Sequence, residues 1–423
     1  MQFQKLTKPQ LEEQLKGMKD EYDAIKAKGL KLDMSRGKPG AEQLDISLDV
    51  LDEVNSKSSV KASDGTDCRN YGLLDGIPEF KALYAELLEV NPNNIITCGN
   101  SSLRIMFDYI SQCMTHGAGS TPWMLQGKIK FACPAPGYDR HFSILEYFGI
   151  EMINVPMLSD GPDMDIIEKL IKDSTVKGFF CVPKYSNPEG KTFSDEVVRR
   201  IAALKPAALD FRIIWDNAYS EHDLYETGDK LLNIFTECEK QGSEDMIIEV
   251  ASTSKISFPG AGVSVLVASD NNIIAIKKRM SMQTIGYDKL NQLRHARYFK
   301  NAQGVKMHMK RQALVLAPKF KIVLDTLEKE LGGKGIAHWN SPNGGYFISL
   351  DVLEGCAKRT VDLCKQAGVV LTPAGATFPY GKDPKDSNIR IAPTFPLVEE
   401  LKVAVGLLCL SVKIAAIEKI LED

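Results

Sequence analysis

Apolar and polar positions along this chain follow two different periods. The stretch "KPQLEEQLKGMKDEYDAIKAKGL" is charged, carries its few apolar residues at helical spacing, and runs out at Gly29. A turn-rich loop, "LDMSRGKPG", follows. From about residue 94 short apolar runs alternate with polar turns and helical stretches. "NIITC" leads into "GNSSLRIMFDYISQCM", "KIKFACP" into "YDRHFSILEYFG", and "VKGFFCVP" into "SDEVVRRIAALK". The runs "FRIIW", "MIIEV" and "GVSVLVAS" complete the series. Near-continuous apolar strands separated by helices predict a mostly parallel sheet covered on both faces.

The pattern divides the chain into three parts. Residues 1–65 read as an N-terminal arm that joins a smaller domain. Residues 66–300 read as the large α/β domain. Residues 301–423 open on a long helical stretch, continue through "GGYFISLDV", "AGVVLTP" and "NIRIAPTF", and close on another helix, the texture of an α+β domain.

Composition narrows the function without naming it. The chain has 423 residues, 44% hydrophobic and 25% charged, with 52 basic and 55 acidic side chains for a net charge of −3. That balance, with no basic stripe, argues against nucleic acid and membrane surfaces as partners. The nine cysteines include no C-x-x-C pair and most sit in apolar runs, which predicts reduced core residues in a cytoplasmic protein. The six histidines show no metal-ligand spacing, so no metal site is expected. The N-terminal stretch has no apolar targeting core, and no run is long enough to span a bilayer.

Ligands of open α/β sheets bind beyond the carboxyl ends of the strands, and in this sequence those ends carry chemistry. Asn100, Ser101 and Ser102 open a helix after "NIITC", where free amides favour an anion, although plain capping uses the same residues. Tyr138 follows "KFACP" and offers a ring for stacking, or an aromatic packed at a domain edge. Asn187 lies in "NPEG", a turn signal that also supplies an amide. Asp216 and Tyr219 follow "FRIIW" in "DNAY"; the acid can face a protonated ring nitrogen or cap a turn. Lys255 ends "STSK" behind "MIIEV", with Ser252 and Ser254 beside it; it is either an amine nucleophile or a snorkelling surface lysine. One ligand uses an amine, a ring-facing acid, an amide, a stacking ring and an anion cradle together: pyridoxal 5′-phosphate.

With these motifs in this order, the sequence resembles the class I aminotransferases of the pyridoxal-phosphate transferase fold type I. The resemblance also covers "NYGLLDG", "PNGGYF" and "NIRIAPTF", and it runs from about residue 33 to 400. "MSRGKP", "GNSSL", "PGYDRHF", "PGAGVS" and "TIGYDKLNQLRH" make it most similar to a divergent bacterial subgroup of aspartate aminotransferases. The resemblance implies a large domain around a seven-stranded, mostly parallel sheet and a smaller α+β domain. It implies a Schiff base at Lys255, Asp216 on the pyridinium nitrogen, Asn187 and Tyr219 at the ring oxygen, and Tyr138 on the ring face. Asn100, Ser101, Ser102, Ser252 and Ser254 would hold the phosphate, and Tyr71 would reach it across a homodimer interface. Arg390 would grip the substrate α-carboxylate, with Asn187 and Gly37 beside it.

The implied reaction moves an amino group from an L-amino acid, aspartate first, to 2-oxoglutarate. Aromatic or 2-aminoadipate aminotransfer, a lyase reaction and a cofactor-binding transcription regulator stay open as alternatives. Two departures stand out. Val263 occupies the position, eight residues after the lysine, where the family usually has a phosphate-binding arginine. The residue that reads a substrate side-chain carboxylate is not fixed; Arg36, Lys38, Arg140 and Arg294 are the candidates.

Overall fold

A computed structural model describes residues 2–422. A long N-terminal helix, Lys8–Lys26, ends one turn before Gly29, whose positive φ of 63° lets the chain reverse. The loop behind it contributes a two-residue strand, β1 (Leu32–Asp33).

Seven strands form the central sheet: β2 (Ile95–Thr97), β3 (Lys130–Ala135), β4 (Glu151–Pro156), β5 (Val176–Cys181), β6 (Arg212–Asp216), β7 (Ile247–Ser252) and β8 (Ser264–Ala268). Their spatial order is β2-β8-β7-β6-β5-β3-β4. The pairs β3/β4, β3/β5, β5/β6 and β6/β7 are parallel, and β8 runs antiparallel to both neighbours. The mostly parallel sheet is therefore as expected. Edge strand β4 was not foreseen. Its exposed–buried alternation replaces the continuous apolar run that marks the inner strands.

Alternate residues of the inner strands feed separate cores. Ile213 and Trp215 pack into one apolar cluster, and Ile214 into another on the opposite face. A third cluster surrounds the helix Val398–Glu422, with contributions from the helices Lys8–Lys26 and Ala302–Leu331. Helix Val398–Glu422 is apolar nearly all round, so it sits inside rather than on a surface; Leu401, Val405, Leu408 and Val412 are fully buried. Around it lie β9 (Ala337–Trp339), β10 (Ile348–Val352), β11 (Val369–Val370) and β12 (Asn388–Ile391). β10 pairs with β9 and β12, and β11 pairs in parallel with β1. The β1–β11 pairing and the helix packing fasten the N-terminal arm to the C-terminal part of the chain.

All nine cysteines are buried, and none is in a disulfide. Among the described residues no helix is long and apolar enough to cross a membrane.

Candidate active site

β3, β5, β6 and β7 point their carboxyl ends the same way, and β2 shares that direction because it is antiparallel to β8. The loops leaving these ends surround a cavity of about 430 Å³. Asn100, Ser101, Ser102, Tyr138, Asn187, Asp216, Tyr219, Ser252, Ser254 and Lys255 all line it. Gly37 and Arg390 enter from the N-terminal loop and from β12. Tyr71 does not line it; its side chain stands on the surface, 80% exposed.

Lys255 lies in the turn after β7, and that turn is pinned. Thr253 Oγ1 accepts from Val263 N at 2.9 Å, and Ile256 N donates to Thr253 O at 2.9 Å. Ile256 O accepts from His308 Nε2 at 2.8 Å, tying the turn to the helix Ala302–Leu331. Lys255 Nζ sits over the Tyr219 ring, 4.9 Å from its centroid, and 5.8 Å from that of Tyr346. This is not a snorkelling lysine. Burial pushes its pKa down, and the charge of Asp216 opposes that shift. The result is an amine that gives up its proton more readily than a surface lysine does.

Asp216 caps nothing. Its Oδ2 lies 3.1 Å from His141 Nε2, and its Oδ1 is buried without a hydrogen-bond partner. A buried carboxylate oxygen with no donor is costly, so this atom has the character of a ligand contact. His141, only 3% exposed, stacks on Phe180 with ring centroids 4.6 Å apart. The sequence reading missed this histidine. Its signal was available: it sits three positions after Tyr138 on the inner face of the helix Asp139–Tyr147.

The anion end is built from hydroxyls and a helix terminus. Ser101 occupies the N-cap of helix Ser102–His116, yet its side chain makes no capping bond. The hydroxyl is left free beside the unpaired first-turn amides. Ser254 Oγ donates to Asn100 O at 2.9 Å, and Ser252 Oγ donates to Ser254 Oγ at 3.1 Å, which joins the lysine turn to this terminus. Val263 is 1% exposed and faces the core, so nothing basic reaches the cavity from that position.

Arg390 is held from four sides. Nη1 donates to Asp139 Oδ1 at 2.8 Å and to Asn187 Oδ1 at 3.2 Å, Nε donates to Thr372 Oγ1 at 3.2 Å, and the guanidinium lies 4.9 Å from the Phe347 ring centroid. Gly37 packs on the same ring: a Cβ there would stand 2.4 Å from Phe347 Cζ. Asn187 gives its oxygen to Arg390, which leaves its NH2 group as the donor for an aromatic oxygen. Asp139 and Thr372 are further residues the sequence reading did not single out.

Of the four candidates for reading a substrate side chain, Arg36, Lys38 and Arg140 line the cavity. Arg294 does not; its Nε donates to Asn291 Oδ1 at 2.7 Å. Within one chain that contact directs it away from the pocket. The cavity carries Arg36, Lys38, Arg140, Lys255 and Arg390 against Asp139 and Asp216, five basic groups to two acidic ones. Such a lining favours anionic ligands.

These residues fit pyridoxal 5′-phosphate. The orphaned Asp216 Oδ1 suits a protonated ring nitrogen, Lys255 suits an aldehyde, and the free amides and hydroxyls near Ser101 suit a phosphate.

Comparison with known proteins agrees. The family described as aspartate amino-transferase matches residues 6–423. The chain is 46% identical over 403 residues to an aspartate aminotransferase of Corynebacterium glutamicum, covering 95% of this chain and 93% of that one. A crystal structure of an aspartate transaminase from the same organism superimposes with a TM-score of 0.96 at 44% identity, covering 99% of both chains. The fold also matches LysN, an α-aminoadipate aminotransferase of Thermus thermophilus, with a TM-score of 0.73 at 20% identity over 93% of this chain and 94% of that one. The chain therefore belongs to the aspartate aminotransferase family, and it is an aminotransferase of fold type I.

Proposed function

We propose that this chain transfers the amino group of L-aspartate to 2-oxoglutarate, with pyridoxal 5′-phosphate bound through Lys255. The observation that carries the reading is the pairing of a half-buried Lys255, its amine pKa lowered, with an orphaned carboxylate oxygen of Asp216 in one cavity. When bound, the cofactor supplies an aldehyde for the amine and a protonated ring that takes up the electron pair released at the substrate Cα.

The chain's own residues supply the rest. Asp216 Oδ1 would accept the ring N–H, and His141 fixes the carboxylate through Oδ2. Tyr138 would stack on the cofactor ring, and Asn187 and Tyr219 would contact its oxygen; all three line the cavity. The helix terminus at Ser101–Ser102, with Ser252 and Ser254, holds the phosphate. Arg390 binds the α-carboxylate, and its two-pronged fork orients the substrate so that the Cα–H bond faces Lys255. Lys255 Nζ takes the Cα proton, a task that needs a neutral amine and hence a lowered pKa. Arg36, Lys38 and Arg140 are the groups available for a second substrate carboxylate, which favours aspartate and 2-oxoglutarate over aromatic donors.

We further read the chain as a cytoplasmic homodimer in which Tyr71 completes the phosphate site of a second copy. The exposure of that tyrosine on one chain supports the reading. Residues 66–300 are taken as the large domain, with 1–65 and 301–423 forming the small one.

A panel of amino donors against 2-oxoglutarate, followed by keto-acid formation, tests the reaction. Aspartate is expected to lead. Keto-acid production beyond one equivalent per site without an acceptor, or preference for an aromatic donor, would overturn the assignment. Lys255→Ala is expected to remove turnover, and borohydride labelling should map to position 255 in the parent only.

A further inference from the structure

The α-carboxylate clamp already holds a carboxylate. Asp139 Oδ1 sits 2.8 Å from Arg390 Nη1, the contact a substrate would make. The two partners are held unequally. Arg390 is fixed by Thr372, Asn187 and the Phe347 ring, and its side chain is 6% exposed. Asp139 is the first residue of its helix and its side chain is 29% exposed, with no other side chain holding it among the described contacts. One partner is anchored and the other has a path to water. A substrate carboxylate can thus take the guanidinium only by displacing Asp139 or sharing it.

We propose that Asp139 is an internal competitor for Arg390 that sets the affinity threshold for carboxylate substrates. The inference rests on the reading of Arg390 as the α-carboxylate clamp. The penalty is the same for every carboxylate that arrives. A ligand with one carboxylate has only this anchor and falls below useful affinity. A dicarboxylate keeps a second anchor among Arg36, Lys38 and Arg140, which line the same cavity, Lys38 with Asp33 at 3.6 Å, and it stays above the threshold. On this account Asp139 sets the absolute affinity for carboxylates and leaves the ratio between them unchanged, and it takes no part in bond making.

The test uses the cofactor-loaded protein and two acids that do not react, succinate and butyrate, with binding measured by calorimetry. Asp139→Asn keeps the shape and removes the charge. It is expected to tighten both acids by a similar factor, about tenfold or more, the size of one charge-assisted hydrogen bond. Asp139→Ser should act in the same direction. In an Arg390→Gln background the gain should vanish, which separates the contact from a general loss of negative charge. Unchanged or weaker binding by both Asp139 variants would overturn the proposal, as would a gain that survives Arg390→Gln. If Arg390→Gln alone leaves succinate affinity unchanged, the clamp reading fails first.

Discussion

Asp216→Asn separates what the site costs from what it does. Asp216 is 2% exposed, Oδ2 has His141 at 3.1 Å, and Oδ1 has nothing. In the cofactor-free protein the side chain is therefore buried with one oxygen unsatisfied. A buried acceptor without a donor costs about 1–3 kcal/mol. Asparagine retains the shape and carries no charge, and its NH2 group can turn toward His141, so part of that cost is relieved. The cofactor-free variant is expected to be more stable than the parent by about 1 kcal/mol, or roughly 1–2 °C in Tm for a chain of this size. The loaded protein should respond the other way. A charge-assisted bond to the ring N–H is lost, about 1.5–3 kcal/mol, so cofactor affinity should fall about 10- to 100-fold. Scanning calorimetry of the cofactor-free form and a fluorimetric cofactor titration read the two effects. A cofactor-free variant that melts lower than the parent, together with unchanged cofactor affinity, would refute the reasoning.

Other expectations are as direct. Glu249 is buried beside Asn217, and burial pushes its pKa up to about 7 from the usual 4.5. A group raised on folding stabilises most below its unfolded value and loses that contribution as pH climbs through its folded value, here from about 4.5 to 7. Glu249→Gln should therefore be more stable than the parent at pH 8, by as much as about 3 kcal/mol, with the gap closing below pH 4.5; denaturant melts across pH would show it. Leu408→Ala, at a fully buried position of the C-terminal helix, should cost about 2–5 kcal/mol by the same melts, and a loss under 1 kcal/mol would contradict the packing. Tyr71→Ala should weaken cofactor retention on gel filtration; equal retention would argue against a role across subunits.

The sequence by itself determined the layered sheet and pointed to most of the residues that line the cavity. Apolar runs such as "FRIIW" and "MIIEV" are continuous because both faces of an inner parallel strand are covered. Chemistry at the strand ends was legible for a related reason: Asp216 follows such a run at once and Lys255 five positions on, and a parallel sheet delivers all those ends to one edge. Edge strand β4 escaped notice because its pairing on one side only lets polar residues alternate with apolar ones. Tertiary structure alone decided who touches whom. His141 reaches Asp216 across 75 residues, and Asp139 reaches Arg390 across 251, separations that leave no trace in local spacing. It also turned Val263 into the core and Arg294 toward Asn291. The physical reason is that a strand's pattern records only which face is buried, whereas a site is made by side chains from several strand ends meeting where water has been excluded.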